Sequence, residues 1–197
     1  VETDGLRGPL VYWRAGCECG ERYAAEGRTA DQLWRHVLGH SGREHANRDH
    51  LWWAHNGGEY DYVYLFDPAK ADALSGRAVV VPVVRSDQMI GFRVKASKMR
   101  TDLRDSYALL PSGLAALAAQ LAPDQPKGDI GLADGVRFDP GLETHRDYAA
   151  QDVRTTVAVL TRYRAMLAAS FGGALPSWSA ASTALRAWLA TLPEGSR

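Results

Sequence analysis

The chain has 197 residues, 46% of them hydrophobic and 23% charged, which is the composition of one ordinary globular domain with a core of its own. Its 23 Lys and Arg balance its 23 Asp and Glu, so it lacks the basic excess of most nucleic-acid binders, while a local single-strand groove built on stacking stays open. No apolar run is long enough to cross a bilayer, there is no signal-peptide pattern, and Cys17 and Cys19 are too few for a disulfide scaffold, so a cytoplasmic, reducing setting with no membrane partner is expected.

In chain order, Pro9 to Arg14 reads as a strand between the breakers Gly8 and Gly16, and Glu21 to Ala24 as a short second strand. Thr29-Ala30-Asp31-Gln32 has the pattern of a capping box, and Leu33, Trp34, Val37 and Leu38 give the helix after it one apolar face. That helix carries His36 and His40 at i, i+4, downstream of Cys17-x-Cys19. A zinc site is set aside in favour of surface histidines. Cys-x-Cys is tighter than the usual zinc spacing, and His45 and His50 make the whole region histidine-rich.

Leu51 to His55 is the next strand, and it runs into Asn56-Gly57-Gly58-Glu59-Tyr60-Asp61. Taken alone, Asn-Gly between two β-prone runs predicts a hairpin. Tyr62, Val63, Leu65 and Phe66 open a helix that runs past Pro68 to Leu74 and stops at Gly76, with the proline tolerable only in the first turn. Ala78 to Val84 and Ile90 to Lys95 predict a hairpin around Arg85-Ser86-Asp87-Gln88, and Thr101 to Leu109 a further strand holding Asp105-Ser106. Leu114, Leu117 and Leu121 mark an amphipathic helix, and Pro123 to Pro140 has the composition of a loop.

Thr144-His145-Arg146-Asp147 has the look of an N-terminal box for a long helix. Val153, Val157, Leu160 and Leu167 follow at helical spacing, and Gly172-Gly173 stops the run. Tyr148 and Asp152, four residues apart, lie on one face of that helix. A last helix, Ala180 to Leu192, presents Leu185, Trp188 and Leu189. Strands and helices are interleaved, which predicts a mixed α/β sheet.

Three acids stand far apart in sequence: Glu2 near the start, Asp61 after the strand that ends at His55, and Asp152 on the long helix. Acids gathered from distant elements can hold ions that none could hold alone. Mg²⁺ prefers carboxylate oxygen, and a pair of such ions can activate a water and stabilise a leaving oxygen. Glu2, Asp61 and Asp152 are the candidate metal ligands. Each has an ordinary alternative: an exposed terminus for Glu2, a solvated helix face for Tyr148 and Asp152, a hairpin for the Asn-Gly stretch.

At these residues the chain resembles the 3′–5′ exonuclease domain of family B DNA polymerases, in particular the protein-primed branch. The family motifs are Asp-x-Glu, Asn-x(2–3)-(Phe/Tyr)-Asp and Tyr-x3-Asp. The second is matched by Asn56 to Asp61 with His55 before it, the third by Tyr148 to Asp152, and the first by Glu2, with its Asp falling just before Val1. The start at Val1, without Met, and the missing Asp suggest a piece of a longer chain.

The resemblance implies a ribonuclease H-like mixed sheet of about five strands flanked by helices, with an inserted β-hairpin. Residues 1–175 would be the exonuclease domain and 176–197 the start of a connection to a polymerase region. The cofactor would be two Mg²⁺ (or Mn²⁺) ions, and the substrate the 3′ end of single-stranded DNA. A terminal priming protein would be a further partner, in a bacterial or phage-infected host cell. Tyr148 would orient the attacking water, because a phenol with pKa ~10 is a poor base at neutral pH. Lys127, in Lys127-Gly128-Asp129, would assist at the catalytic site. Thr3, Trp53, His55, Asn56, Tyr60, Tyr64 and Ser106 would contact the single strand. Ser106 is followed by Tyr107 where the family usually has Leu. Trp53 and Tyr64 read equally well as core residues, and Lys127 as a loop lysine. Two other functions remain open: a non-catalytic nucleic-acid-binding or scaffold domain of the same fold, and a stand-alone exonuclease.

Overall fold

A computed structural model describes residues 2–3, 10–17, 24–43, 50–58, 61–96, 99–130 and 137–193. The β-branched run β5 (Val79–Arg85) turns at Ser86-Asp87 into β6 (Gln88–Ala96), giving the expected hairpin, with Ser86 at φ 57° in the left-handed region. β6 pairs antiparallel with β7 (Met99–Asp105), and β7 pairs parallel with β4 (His50–Ala54), so the four-stranded sheet has the order β4-β7-β6-β5. A second, antiparallel sheet has the order β1 (Glu2–Thr3), β2 (Leu10–Ala15), β3 (Ala25–Gly27). The α/β class is the expected one. Among the described residues its strands form two hydrogen-bonded groups, three and four strong, in place of one ladder of about five.

The main core lies where the sheets meet α1 (Ala30–Arg43) and α2 (Asp61–Leu74). Leu33, Trp34 and Val37 of α1 and Tyr62, Leu65 and Ala69 of α2 pack there with Trp13, Phe92, Val94 and Leu103. The 3.6-residue period puts each helical set on one stripe. The capping box is made: the Thr29 hydroxyl accepts the Gln32 N–H at 3.2 Å, and Gln32 Oε1 accepts the N–H of Thr29 at 3.2 Å and of Arg28 at 2.9 Å. The two helices are joined by Trp34 Nε1 donating to Asp72 Oδ2 at 2.7 Å.

Several expectations need correction. Pro68 sits inside α2, well past its first turn. The strand from Thr101 ends at Asp105, whose carboxylate caps a one-turn helix α3 (Ser106–Leu109). The long helix α5 (Glu143–Ser170) starts without a side-chain cap, its N-cap being Leu142, so Thr144 to Asp147 form no box. His145 is buried instead, and its Nδ1 accepts the Asp139 N–H at 2.8 Å. The histidines of α1 are not simply a surface set, since the His36 ring sits 5.7 Å from those of both Trp13 and Trp52.

α4 (Leu114–Leu121) buries Leu114, Leu117 and Ala118 with Val159 of α5. Gly172 (φ 57°) and Gly173 (φ 85°) end α5 in the left-handed conformation, as their sequence position predicts. α6 (Ala180–Thr191) starts from a capping box between Ser179 and Ser182 that was not expected. It is tied back to the body: Thr183 and Ala187 are buried, and the Trp178 ring lies 4.6 Å from the Arg104 guanidinium. No helix among the described residues is long and apolar enough to cross a membrane.

Candidate functional site

Parallel pairing of β4 with β7 sets Ala54 opposite Asp105, so both strands deliver their carboxyl ends to one edge. In open α/β sheets that edge is where ligands bind. The chain leaves β4 through His55 to Gly58 and enters α2 at Asp61. No hairpin forms there. Asn56 takes φ 61°, a conformation asparagine tolerates. At Gly58 a Cβ would stand 2.0 Å from the Met89 carbonyl oxygen, so only glycine fits against β6.

Asp105 holds this turn in place. Its Oδ2 accepts the Gly58 N–H at 3.0 Å and its Oδ1 the Tyr107 N–H at 2.8 Å. Burial raises the Asp105 pKa, against the lowering effect of the Gly58, Tyr107 and Gly57 N–H groups. Tyr62, fully buried at the start of α2, donates its hydroxyl to the Arg104 carbonyl. Burial, with Asp105 and Asp61 adding to it, pushes that phenol well above its usual value, so Tyr62 acts as a structural donor. His55 Nδ1 lies 3.1 Å from Ser106 Oγ, which also reaches the Ala54 carbonyl at 3.4 Å. Burial lowers the His55 pKa, while Asp105, Asp152 and Asp61 pull it back up.

The facing wall comes from α5. The Pro126 carbonyl is fixed to this helix by Gln151 Nε2 at 2.8 Å and Thr155 Oγ1 at 3.0 Å, and this anchors the residue after it. Lys127 Nζ donates to the Tyr148 hydroxyl at 2.8 Å and lies 3.3 Å from Asp152 Oδ2. Partial burial pulls the Lys127 pKa down, but the hydrogen bond it donates to Tyr148 and the charge of Asp152 outweigh it and leave it raised. The other oxygen, Asp152 Oδ1, is buried with no hydrogen-bond partner.

A cavity of about 510 Å³ lies between these walls, and Asp61, Asp152, Lys127, His55, Asn56 and Trp53 all line it. Tyr148 reaches it through Lys127. Trp53 also has the Arg104 guanidinium 5.7 Å from its ring. Ser106 is buried behind His55 and Tyr64 is half-buried on α2, and neither lines the cavity. The backbone of Glu2 and Thr3 forms β1, with Glu2 opposite the cavity residue Tyr12, but their side chains and all of Tyr60 lie outside the described residues. Sequence reading missed Asp105 as the clamp, and Tyr12, Arg14, Tyr107 and Thr156 as lining. The Gly57-Gly58 pair was the available signal that something presses on this turn.

The donor set suits a hard divalent ion. Mg²⁺ is commonly held by one or two carboxylates, with water and substrate phosphate completing its shell. Asp61 and Asp152 supply two carboxylates, and the unpartnered Asp152 Oδ1 is an oxygen that such an ion would satisfy. Among the described residues no group of three or more His, Cys, Asp or Glu clusters closely enough to hold a metal, and Cys19 and the His40 side chain lie outside them.

No family model and no curated protein sequence matches the chain. Solved structures do. A phi29 DNA polymerase complexed with primer-template DNA and incoming nucleotide substrates matches over 88% of this chain at TM-score 0.59 and 16% identity. The same polymerase complexed with single-stranded DNA matches over 83% at 0.54 and 18%, and complexed with primer-template DNA over 83% at 0.53 and 17%. The chain spans 28–30% of the length of those polymerase chains. At this identity the likeness establishes a shared fold.

Proposed function

We propose that this domain is a 3′–5′ exonuclease of the proofreading type, removing 3′-terminal nucleotides from single-stranded DNA beside a polymerase region. One observation carries the reading: Asp61 and Asp152 come from separate elements to one cavity, where Lys127 bridges Tyr148 and Asp152. The phi29 likeness supports it, since those structures are of a polymerase complexed with DNA.

The paired divalent ions implied by this reading would lower the pKa of a bound water and stabilise the leaving oxygen. Asp61 and Asp152 are the residues that would hold them. Tyr148, with its hydroxyl oriented by Lys127, positions the attacking water. Lys127 stays charged and offsets negative charge developing on the scissile phosphate. Trp53, His55 and Asn56 steady the terminal bases, with stacking contributing roughly 1–3 kcal/mol per base. A mismatched end is easier to unpair, which gives preference for errors.

The test is degradation of a 5′-labelled single strand with Mg²⁺ or Mn²⁺, by this chain and by the chain extended with Asp before Val1. A ladder receding from the 3′ end is expected. EDTA should abolish it, and Asp61→Ala and Asp152→Ala should each slow it at least about a hundredfold. Strand binding without any ladder in either form would replace this reading with a non-catalytic binding domain.

A further inference from the structure

Beyond the end of β2 lies a second cavity, of about 430 Å³, which shares Arg14, Ala15, Gly16, Val153 and Val157 with the first. These residues form a shared wall, in which Gly16 packs closely against Val153: a Cβ at Gly16 would stand 2.8 Å from Val153 Cγ1.

The charged side chains lining the second cavity are Arg14, Arg154, Arg162 and Asp124. Each arginine is oriented by a neighbour. Arg14 pairs with Glu26, Arg154 donates to Gln151 Oε1 at 2.9 Å and 3.1 Å, and Arg162 pairs with Asp124, Nη2 to Oδ2 at 2.7 Å. Arg162 also donates to the Leu121 carbonyl at 3.3 Å and Arg14 also meets the Tyr12 hydroxyl; a guanidinium carries five donors in a plane, so such neighbours orient it for a further acceptor. Among the described residues the cations outnumber the acids even with Glu26 counted. That balance contrasts with a chain whose formal net charge is zero. An arginine-lined cavity one wall away from a candidate phosphodiester site suits a phosphate.

We propose that the second cavity is a phosphate subsite, holding a backbone phosphate of the strand whose 3′ end occupies the first cavity. This rests on the exonuclease reading above. A released nucleoside monophosphate carries the same group, so the test separates the two sources.

The measurement is fluorescence anisotropy in EDTA, which stops cleavage, with single strands of about three and about twelve nucleotides, bracketing a typical single-strand site. Arg154→Ala and Arg162→Ala should each weaken binding of the longer strand about three- to tenfold. Each should also flatten its salt dependence by about 0.7 in log–log slope. Arg154→Lys should restore most of the loss. Asp124→Ala should tighten binding, because it removes the competing acid. If the Arg162–Asp124 pair were only structural, both of its variants would weaken binding alike. Losses confined to the longer strand identify a backbone phosphate. Equal losses for both lengths, with a deoxynucleoside monophosphate competing in an Arg154-dependent way, identify the product as the source. Unchanged affinity and slope in the arginine variants of a chain that still makes the ladder overturn the subsite alone. A chain that neither binds strands nor makes the ladder overturns the exonuclease reading with it.

Discussion

Asp105 shapes the candidate site without lining it. It ends β7, is buried, and accepts backbone N–H groups from Gly58 and Tyr107. Asp105→Ala would leave the buried Gly58 N–H unpaired, at about 1–3 kcal/mol, would remove the cap on Tyr107, and would loosen the turn that leads to Asp61. We expect urea unfolding to show that loss and nuclease activity to fall with it. Its charge gives a further check. Because the native Asp105 pKa is raised, the native state binds its proton more readily than the unfolded chain. That contribution is complete below the unfolded pKa of about 3.9 and is lost as pH rises through the native value. The stability of wild type minus that of Asp105→Asn should therefore fall as pH rises from about 4 toward neutrality, and a constant difference would contradict the assignment. Tyr148 and Asp152 were legible in the sequence because their spacing alone puts them on one helical face. Asp105 was not, because its partner Gly58 lies 47 residues away and is met only through sheet pairing.

The stretch after β4 shows how pairing overrides local turn chemistry. Asn56-Gly57 favours a hairpin, yet β4 finds its partner in β7, running parallel, and the segment becomes a strand-to-helix connection. Gly58 fits there because the Met89 carbonyl occupies the space of a Cβ. Gly58→Ala should cost about 1–3 kcal/mol in stability and reduce nuclease activity more than a Gly76→Ala control, which is strained by its φ of 72° but lies at the far end of α2 from the cavity. Equal activity losses would show that this turn does not position Asp61. Elements with a local signal were readable: the Thr29–Gln32 box, the β5–β6 hairpin and the Gly172-Gly173 stop. Pro68 was misjudged because tertiary packing of Tyr62, Leu65 and Ala69 holds α2 together on both sides of it.

On the scale of the whole molecule, a parallel strand pair and one long helix face each other across a cavity, with both described acids on its walls. The α/β class could be read in the sequence, and so could the helix that carries Tyr148 and Asp152. The two groups of paired strands among the described residues could not, nor could the packing of residues 174–193, which depends on long-range contacts such as Arg104 with Trp178 and with the Pro176 carbonyl at 3.1 Å. The central claim is that Asp61 and Asp152 jointly hold a divalent ion. The most direct measurement is Mn²⁺ titration followed by electron paramagnetic resonance, on wild type and on Asp61→Asn, Asp152→Asn and the double variant. The account predicts saturable binding that weakens about tenfold or more in each single variant and is lost in the double. A Mn²⁺ isotherm that is the same in wild type and the double variant would contradict it.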